Sequence, residues 1–384
     1  MRTRTKIQQV FDAGWKDYCG SYNASGEQLK VAHAIINCHS PKMGFNSMRC
    51  TECGHTEIHY NSCRNRNCPV CQAILKEAWI DQRRSEVIDG SYFHLVCTVP
   101  AELNPLIYAN QKLLYSLMHD CAAKTVLSLA ADKKYLGAQP GIIQVLHTWG
   151  QKLNYHPHIH CIISGNGLSP DLKLVEGGTA FFLPVAVMRK VFRGKFLSSL
   201  QDLYAFGRLL IPESCARLRN SYEWNEFRDR LYTKDWNLYI KETFNGNGNA
   251  MEYLGRYTHR IAITNSRVLD VSDGKVSFSA FDYKAKEKVT LTLSCKEFIR
   301  RLMMHVLPSG FQKIRYFGFL SNRKKRKSLL VIFRLQGHQK FKSLYSGMKT
   351  DELLAAVWGY NIHLCKSCGC NSMQHAGRCF PMRC

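Results

Sequence analysis

The sequence predicts an α+β fold, in which helices flank an antiparallel β-sheet. Residues 92–99 alternate between apolar and polar and end at Pro100, and two further strand-like runs, 141–151 and 155–164, lie only three residues apart. Strands so close in sequence pair as an antiparallel hairpin. Segments with helical apolar spacing surround these runs, without a regular strand–helix repeat, which is typical of α+β proteins. Further predicted helices span 5–37, 73–88, 105–131, 183–232 and 296–306, and further strands span 235–243 and 260–294.

Composition and periodicity divide the 384 residues into five predicted parts. A helical leader (1–37) precedes a zinc-binding domain (38–90) that is rich in cysteine, asparagine and arginine and has almost no hydrophobic periodicity. The domain with the predicted sheet spans 91–265. A β-rich, basic region (266–345) and a cysteine-rich tail (346–384) follow.

The charge balance indicates a polyanionic partner. Lysine and arginine number 53 against 29 acidic residues, a formal net charge of +24, which disfavours a typical metabolic enzyme and favours a protein that binds nucleic acid. No apolar run approaches the roughly 18–20 residues that span a bilayer, so no membrane association is predicted. The first residues lack the apolar stretch of a secretory signal, which predicts a cytoplasmic protein.

Many of the 17 cysteines stand in Cys-x-x-Cys pairs, which in a reducing compartment are typical of metal ligands. Cys50 and Cys53 form one pair, and Cys68 and Cys71 form another after 14 intervening residues. Two such pairs at this spacing predict a closed, structural four-cysteine Zn²⁺ site. Further nearby residues are able to replace one of these ligands or to form a second site: Cys38, His39, His55 and Cys63.

The tail repeats the cysteine pattern less regularly. Cys365 and Cys368 form a pair, but the later part of the tail has no second Cys-x-x-Cys. A further zinc site therefore remains an open alternative there. Its other candidate ligands are Cys370, His375, Cys379 and Cys384.

Two groups of basic residues are candidate DNA contacts. Arg64 and Arg66 lie between the two predicted zinc-ligand pairs, where their donors suit phosphates and base edges. The alternative is a zinc site whose arginines are merely solvated. The basic run 323–327 has the same two interpretations, a DNA contact or a solvated loop.

Three histidines occupy one predicted strand. His156, His158 and His160 alternate with apolar residues, so all three point to the same face of the strand and form half of a divalent-metal site. A third ligand is needed from elsewhere. On the neighbouring strand His147 and Gln151 are candidates, and His94 on the first strand is an outside candidate. The register of the hairpin remains open, as does the alternative of a histidine cluster without a metal.

Two tyrosines stand one helical turn apart downstream. Tyr253 and Tyr257 are predicted to share a helix face, which Arg256 and Arg260 flank. By itself this spacing is typical of core packing. Together with a metal-binding histidine strand it indicates nucleophiles, because a tyrosine hydroxyl can attack a phosphate that a metal polarises. The arginines are then candidates for holding DNA phosphates.

These motifs resemble the HUH (His-hydrophobe-His) nucleases, and most closely the two-tyrosine transposases of bacterial insertion sequences of the IS91 type. The resemblance covers nearly the whole chain. It includes the cysteine-rich segment 60–72, the histidine strand 156–160, the tyrosine pair, and the later segment 298–318. It implies an HUH nuclease core with an antiparallel sheet flanked by helices, an N-terminal zinc-binding domain and a β-rich C-terminal region.

The resemblance also assigns roles to residues. His158 and His160 match the metal-binding histidines and Ile159 the hydrophobe between them, with Mg²⁺ or Mn²⁺ as the cation. The third ligand varies in this superfamily, and position favours Gln151. Tyr253 and Tyr257 match the nucleophiles.

The implied function is a transposase that cuts and rejoins single-stranded transposon ends and target DNA through 5′-phosphotyrosine links, in rolling-circle transposition. Two alternatives remain. One is a non-catalytic zinc-ribbon DNA-binding regulator, and the other is a rolling-circle replication initiator.

Overall fold

A computed structural model of the chain describes residues 4–69, 71, 73–177, 183–245, 261–282, 285–337 and 343–381. The described residues form a mixed α+β structure with antiparallel strand pairing, which confirms the predicted fold class. Ten helices are labelled here in chain order. They are α1 (Lys6–Ser21), α2 (Gly26–Asn37), α3 (Ala73–Arg84), α4 (Asn104–Ala109), α5 (Gln111–Ala130), α6 (Val185–Ala205), α7 (Ser221–Thr233), α8 (Cys295–Met303), α9 (Lys325–Leu335) and α10 (Thr350–Trp358).

Twelve strands in the described residues form three sheets. The central sheet has the order β11-β4-β5-β3-β7, with β6 paired to β5, and the two smaller sheets have the orders β10-β9-β8 and β12-β1-β2. The strands are β1 (Phe45–Cys50), β2 (Thr56–Tyr60), β3 (Ser91–Thr98), β4 (Gln139–Trp149), β5 (Tyr155–Leu168), β6 (Leu174–Val175), β7 (Leu238–Asn245), β8 (Val268–Ser272), β9 (Lys275–Asp282), β10 (Glu287–Ser294), β11 (Ile314–Gly318) and β12 (Met373–Cys379).

The two faces of the central sheet have different roles. Ile159 and Cys161 of β5 point to one face, where they pack in a large apolar core with residues of α5 and α6 such as Met118 and Phe192. His158 and His160 alternate with them and point to the opposite face, as the strand period requires. That face continues into a second apolar core, which contains Ile162. The sheet therefore holds the histidines on a rigid strand that is packed from behind.

The first two helices begin at capping boxes. Thr5 and Gln8 cap each other at the start of α1, and Ser25 and Gln28 do the same at α2. Helix α1 packs closely on α8 because it carries Gly14 at the contact, where a Cβ would lie 2.7 Å from Cys295. The predicted helical leader is thus joined to the sheet β10-β9-β8, whose core it shares.

The segment 260–294, predicted as strands, contains the antiparallel pair β8–β9, which turns at Asp273 and Gly274. Both turn residues have positive φ, +49° and +68°, which matches the turn geometry that short antiparallel hairpins favour. Strand β12, which lies in the predicted tail, pairs with β1 of the predicted zinc-binding domain. None of the helices in the described ranges is long and apolar enough to cross a membrane.

Candidate metal centre and DNA-binding cleft

The hairpin of β4 and β5 brings three histidines together. His147 lies directly opposite His158, and His160 follows on the same face two residues later. The ligand nitrogens that the three rings offer lie within 4.8 Å of one another. His147, His158 and His160 are called the histidine cluster below. Three imidazoles at this spacing suit a divalent transition metal, and neutral imidazole is a common ligand of such ions.

The third member of the cluster differs from the position that the resemblance favoured. Gln151 lies in the turn beyond the end of β4, where its backbone carbonyl accepts a hydrogen bond from Arg267 at 2.6 Å. The N–H of Gly150 donates to the carbonyl of Asn154 and closes the turn. Within the turn Leu153 has a left-handed conformation, with φ +59°. The turn spans Gly150–Asn154, so His147 lies opposite His158, and a role for Gln151 as a ligand stays a prediction.

Hydrogen bonds orient two rings of the cluster. His158 Nδ1 donates to the backbone carbonyl of His156 at 2.7 Å, which leaves Nε2 as the nitrogen with a lone pair for a cation. His160 Nδ1 lies 2.8 Å from Nε2 of His94, and both rings are buried. Metal-binding histidines commonly use their second nitrogen in this way, because the bond holds the tautomer and the ring plane. His94 is thus placed as an orienting neighbour, and the cluster itself consists of the other three histidines.

Burial keeps the surrounding histidines neutral. Loss of solvation lowers the pKa of His94 to about 4, with a smaller contribution from repulsion by Lys241. Loss of solvation also lowers the pKa of His305 to about 4. His305 bridges two elements, because Nε2 donates to the carbonyl of Leu153 at 3.3 Å and Nδ1 lies 3.2 Å from the Thr148 hydroxyl. It therefore connects the chain that follows α8 to the hairpin that carries the cluster.

A cleft of about 610 Å³ is connected to the histidine cluster through Trp149. Trp149 lines it and stacks on His147, with ring centroids 4.6 Å apart and planes inclined by 21°. The ammonium of Lys313 lies over the Trp149 ring, 5.0 Å from its centroid. Cationic and aromatic side chains side by side are typical of grooves that bind single-stranded nucleic acid. Other lining residues include Arg66, Asn67, Ile261, Ala262 and Arg315.

Tyr253 and Tyr257, and with them Arg256 and Arg260, lie outside the described residues. Ile261 and Ala262, which follow this motif directly in sequence, line the cleft beside Trp149.

The cysteines form two thiol clusters, and the predicted grouping is wrong. The first, called the N-terminal thiol cluster, consists of Cys38, Cys63, Cys68 and Cys71. The second, called the bridging thiol cluster, consists of Cys50, Cys53, Cys365 and Cys368. The two predicted Cys-x-x-Cys pairs therefore belong to different clusters. Cys50 is the last residue of β1, which pairs with β12 of the tail, and this pairing brings it close to the tail cysteines. Within each cluster the sulfurs lie within 4.8 Å of one another.

The N-terminal thiol cluster fits a structural zinc ion. Its Cys63 and Cys71 sulfurs are 3.6 Å apart, close to the separation of about 3.8 Å expected for sulfurs bound tetrahedrally at about 2.3 Å from zinc. Hydrogen bonding with the Cys38 and Cys63 thiols raises the pKa of Cys68, and burial adds to this effect. The raised pKa favours the protonated thiol when no cation is bound. Zinc binding favours the thiolate instead and releases the proton.

The two predicted DNA-binding arginines differ in their surroundings. Arg64 is exposed and has φ +52°. Arg66 donates to the backbone carbonyls of Phe311, Leu307 and Pro308 at 2.7, 3.3 and 3.0 Å. These contacts commit the guanidinium of Arg66 to the fold, so it joins the zinc-binding segment to the wall of the cleft. A DNA contact by Arg66 stays a prediction, as it does for Arg64.

Comparison with known proteins identifies the family. A family model described as "Putative transposase" matches residues 141–328, which include the histidine cluster, and one described as "Transposase zinc-binding domain" matches residues 10–99. The protein "Putative transposase y4qJ" of Sinorhizobium fredii is 38% identical over 332 residues, which cover 85% of this chain and 83% of that protein. The chain belongs to the IS91 transposase family.

A second relative supports this membership. The transposase for insertion sequence element IS801 of Pseudomonas savastanoi pv. phaseolicola is 28% identical over 304 residues, 77% of this chain and 71% of that protein. No solved structure matches the chain significantly. Family membership confirms the predicted IS91-type transposase, a DNA-cleaving enzyme in general terms that binds DNA and has a zinc-binding domain.

Disrupting the N-terminal thiol cluster is expected to unfold the zinc-binding segment of this IS91-family transposase. Cys68→Ser should lose one zinc ion per chain and most of the amide-exchange protection of residues 38–71, because zinc binding supplies folding free energy of about 10 kcal/mol to such segments. Zinc content and hydrogen exchange measure this. The control is Cys19→Ser, at an exposed cysteine outside both clusters. Purified protein without tightly bound zinc would contradict the assignment.

Proposed function

We propose that this transposase cuts and rejoins single-stranded DNA through 5′-phosphotyrosine intermediates, in transposition of the rolling-circle type. The observation that carries the proposal is the histidine cluster, whose His147 stacks on Trp149, a residue that lines a cleft together with basic residues. A cation site beside a groove with aromatic and cationic walls supports chemistry on a nucleic-acid phosphate.

The metal site of this proposal consists of His147, His158 and His160. These residues would hold a divalent ion, which would supply Lewis-acid chemistry at the scissile phosphate. The donor set is three imidazoles without a carboxylate, which suits Mn²⁺ and later transition ions better than Mg²⁺, because Mg²⁺ prefers oxygen ligands. His94 and the carbonyl of His156 hold two of the rings in orientation.

The nucleophile of this proposal is the hydroxyl of Tyr253 or Tyr257. The phenolic oxygen attacks phosphorus and loses its proton, the bond from phosphorus to the 3′ oxygen breaks, and that oxygen leaves as a 3′-hydroxyl after gaining a proton. The products are a 5′-phosphotyrosine and a free 3′ end. Rejoining is the reverse reaction with another 3′-hydroxyl, so the energy of the phosphodiester is kept and ATP is not needed. Two tyrosines allow two DNA ends to be held in turn.

Single-stranded DNA fits the cleft for two reasons. Trp149 lines the cleft and contacts His147, so a strand bound in the cleft would lie close to the proposed metal site. Lys313 and Arg315 line the same cleft and supply positive charge for the backbone.

Labelled oligonucleotides test the proposed chemistry. With single-stranded substrate and Mn²⁺, label on the 3′ side of the cut should remain attached to denatured protein, and label on the 5′ side should be released on a fragment with a free 3′-hydroxyl. A non-catalytic regulator gives neither product. A metal nuclease that uses water releases both labels. Preference for transposon ends over replication origins separates the transposase from an initiator.

The basic run at the start of α9 is expected to contribute to DNA binding. Lys325 is engaged by Glu86 at 2.6 Å, whereas the other four cations of the run are exposed at the positively polarised end of a helix without acidic residues in its first turn. Those four are Arg323, Lys324, Arg326 and Lys327.

Replacing these four residues with glutamine should reduce the slope of log binding constant against log salt concentration by up to about 3. Each phosphate contact on single-stranded DNA contributes about 0.7 to this slope. Binding titrations from low to moderate salt measure this. The matched control neutralises Lys190, Lys234, Lys275 and Lys288, which removes the same charge elsewhere. An unchanged slope in the first variant would show that the run is only solvated.

A further inference from the structure

Besides the N-terminal thiol cluster, the described residues contain a second set of four cysteines assembled from segments far apart in the chain. Cys50 Sγ lies 3.6 Å from Cys368 Sγ, and Cys53 Sγ lies 3.6 Å from Cys365 Sγ, across sequence separations of 318 and 312 residues. The zinc-binding domain matched by family comparison ends at residue 99, so half of this set lies outside it.

We infer that the bridging thiol cluster is a second structural zinc site, which joins the cysteine-rich tail to the zinc-binding domain. The observed separations of 3.6 Å are close to the roughly 3.8 Å expected between sulfurs that share a tetrahedral zinc ion. All four sulfurs lie within 4.8 Å of one another, which fits one shared ion rather than two separate pairs.

The two halves of the site have the same local structure. Each has the sequence Cys-x-x-Cys-Gly. In each, the glycine N–H donates to the carbonyl of the first cysteine, from Gly54 to Cys50 at 3.1 Å and from Gly369 to Cys365 at 2.9 Å. The glycines have φ values of +72° and +73°, a conformation that side chains disfavour.

A further pair of hydrogen bonds completes this likeness. The N–H of the first cysteine donates to the carbonyl five residues later, from Cys50 to His55 at 2.8 Å and from Cys365 to Cys370 at 2.9 Å. Two equivalent turns that face each other and direct their sulfurs to one point are the arrangement of a closed four-cysteine site.

The small core beside the site also indicates a metal. The sheet β12-β1-β2 encloses a core of only four buried side chains, Met48, Cys50, Cys365 and Met373. So small a core does not stabilise a sheet by itself, and small units of this kind commonly depend on a metal or on disulfides.

Zinc counting in the full chain tests this inference. A His158→Ala, His160→Ala background removes the histidine cluster as a competing site, and native mass spectrometry then counts the ions on folded protein. The background protein should carry two zinc ions. Adding Cys365→Ser, Cys368→Ser or Cys50→Ser should leave one, and combining Cys50→Ser with Cys365→Ser should still leave one. Combining Cys68→Ser with Cys365→Ser should leave none.

The matched control is Cys370→Ser, at an exposed cysteine next to the site and outside the cluster, which should retain two ions. Cobalt substitution provides a measurement that needs no variant, because two equivalents of tetrahedral cobalt–thiolate absorption should appear in the background protein. One zinc per chain and one cobalt equivalent would overturn the inference, and so would two zinc ions in the Cys365→Ser protein. A disulfide between the two segments in protein purified without oxidant would also overturn it.

Discussion

Replacing both Tyr253 and Tyr257 by phenylalanine is expected to abolish covalent capture of DNA by this transposase. Phenylalanine keeps the ring and removes only the hydroxyl, so the packing of the segment and the affinity for DNA should stay within about twofold of the parent protein. Loss of the nucleophile should lower strand cleavage by at least about 10³-fold. Quantified protein–DNA adducts on denaturing gels, with binding measured in parallel, give both quantities.

The single variants should separate the two tyrosines. If each handles one DNA end, one single variant should lose nicking outright and the other should nick but fail to complete strand transfer. We expect Tyr253 to make the first cut because it opens the motif. Tyr222→Phe, at an exposed tyrosine of α7, is the control and should behave as the parent protein. A double variant that still captures a 5′ DNA end would refute the phosphotyrosine mechanism.

Removing the histidine cluster is expected to have an effect of similar size on cleavage. His158→Ala or His160→Ala should reduce nicking by about 10³-fold or more, since a Lewis acid contributes several kcal/mol to the transition state and each 1.36 kcal/mol is about tenfold in rate. Binding of an oligonucleotide should be largely retained, because the ion acts on one phosphate. His147→Ala should lose nicking to the same degree, as the third member of the cluster.

The strand itself offers the control for this experiment. His156 lies on the same face of β5, with its ring centroid 5.1 Å from that of His158, yet it is outside the histidine cluster. His156→Ala should therefore keep most of the nicking activity, since the backbone carbonyl that orients His158 remains. Full nicking by the His158→Ala, His160→Ala double variant would remove the metal from the mechanism. Equal loss in His156→Ala would show that the variants only disturb the strand.

The histidine strand was predictable because its signal is local. Alternation along a strand decides which residues share a face, so the common face of His158 and His160 followed from the sequence. The partner on β4 was not predictable, since it depends on the number of residues in the turn. The turn runs from Gly150 to Asn154 with Leu153 in a left-handed conformation, which places His147 opposite His158.

Cysteine spacing predicted the zinc-ligand grouping less well than strand alternation predicted the histidine face. Cys50 and Cys53 have the pattern of half a zinc site, and the nearest second half in sequence is Cys68 and Cys71. The structure instead pairs the first half with the tail through the β1–β12 ladder, a contact between residues more than 300 positions apart. Local spacing cannot reveal such a contact, although the repeated Cys-x-x-Cys-Gly pattern is a signal that relates the two halves.

The hydrogen bonds that Arg66 makes with the backbone were also not predictable from the sequence. An arginine between asparagines in a basic protein is typical of a DNA contact, but the carbonyls of Leu307, Pro308 and Phe311 converge on its guanidinium. These residues lie more than 240 positions from Arg66 in the sequence, so the contact depends on the tertiary fold. Arg64, which has no such surroundings, remains a candidate for DNA contact.

The most direct test of the proposed mechanism is to identify the residue that carries the DNA. The parent protein is incubated with a single-stranded oligonucleotide and Mn²⁺, the adduct is digested with protease and nuclease, and the modified peptide is sequenced by mass spectrometry. The phosphotyrosine mechanism predicts a nucleotide joined through its 5′ phosphate to Tyr253 or Tyr257, absent when the metal is chelated and absent in the His158→Ala protein. A modification on any other residue, or cleaved DNA without a linked peptide, would contradict it.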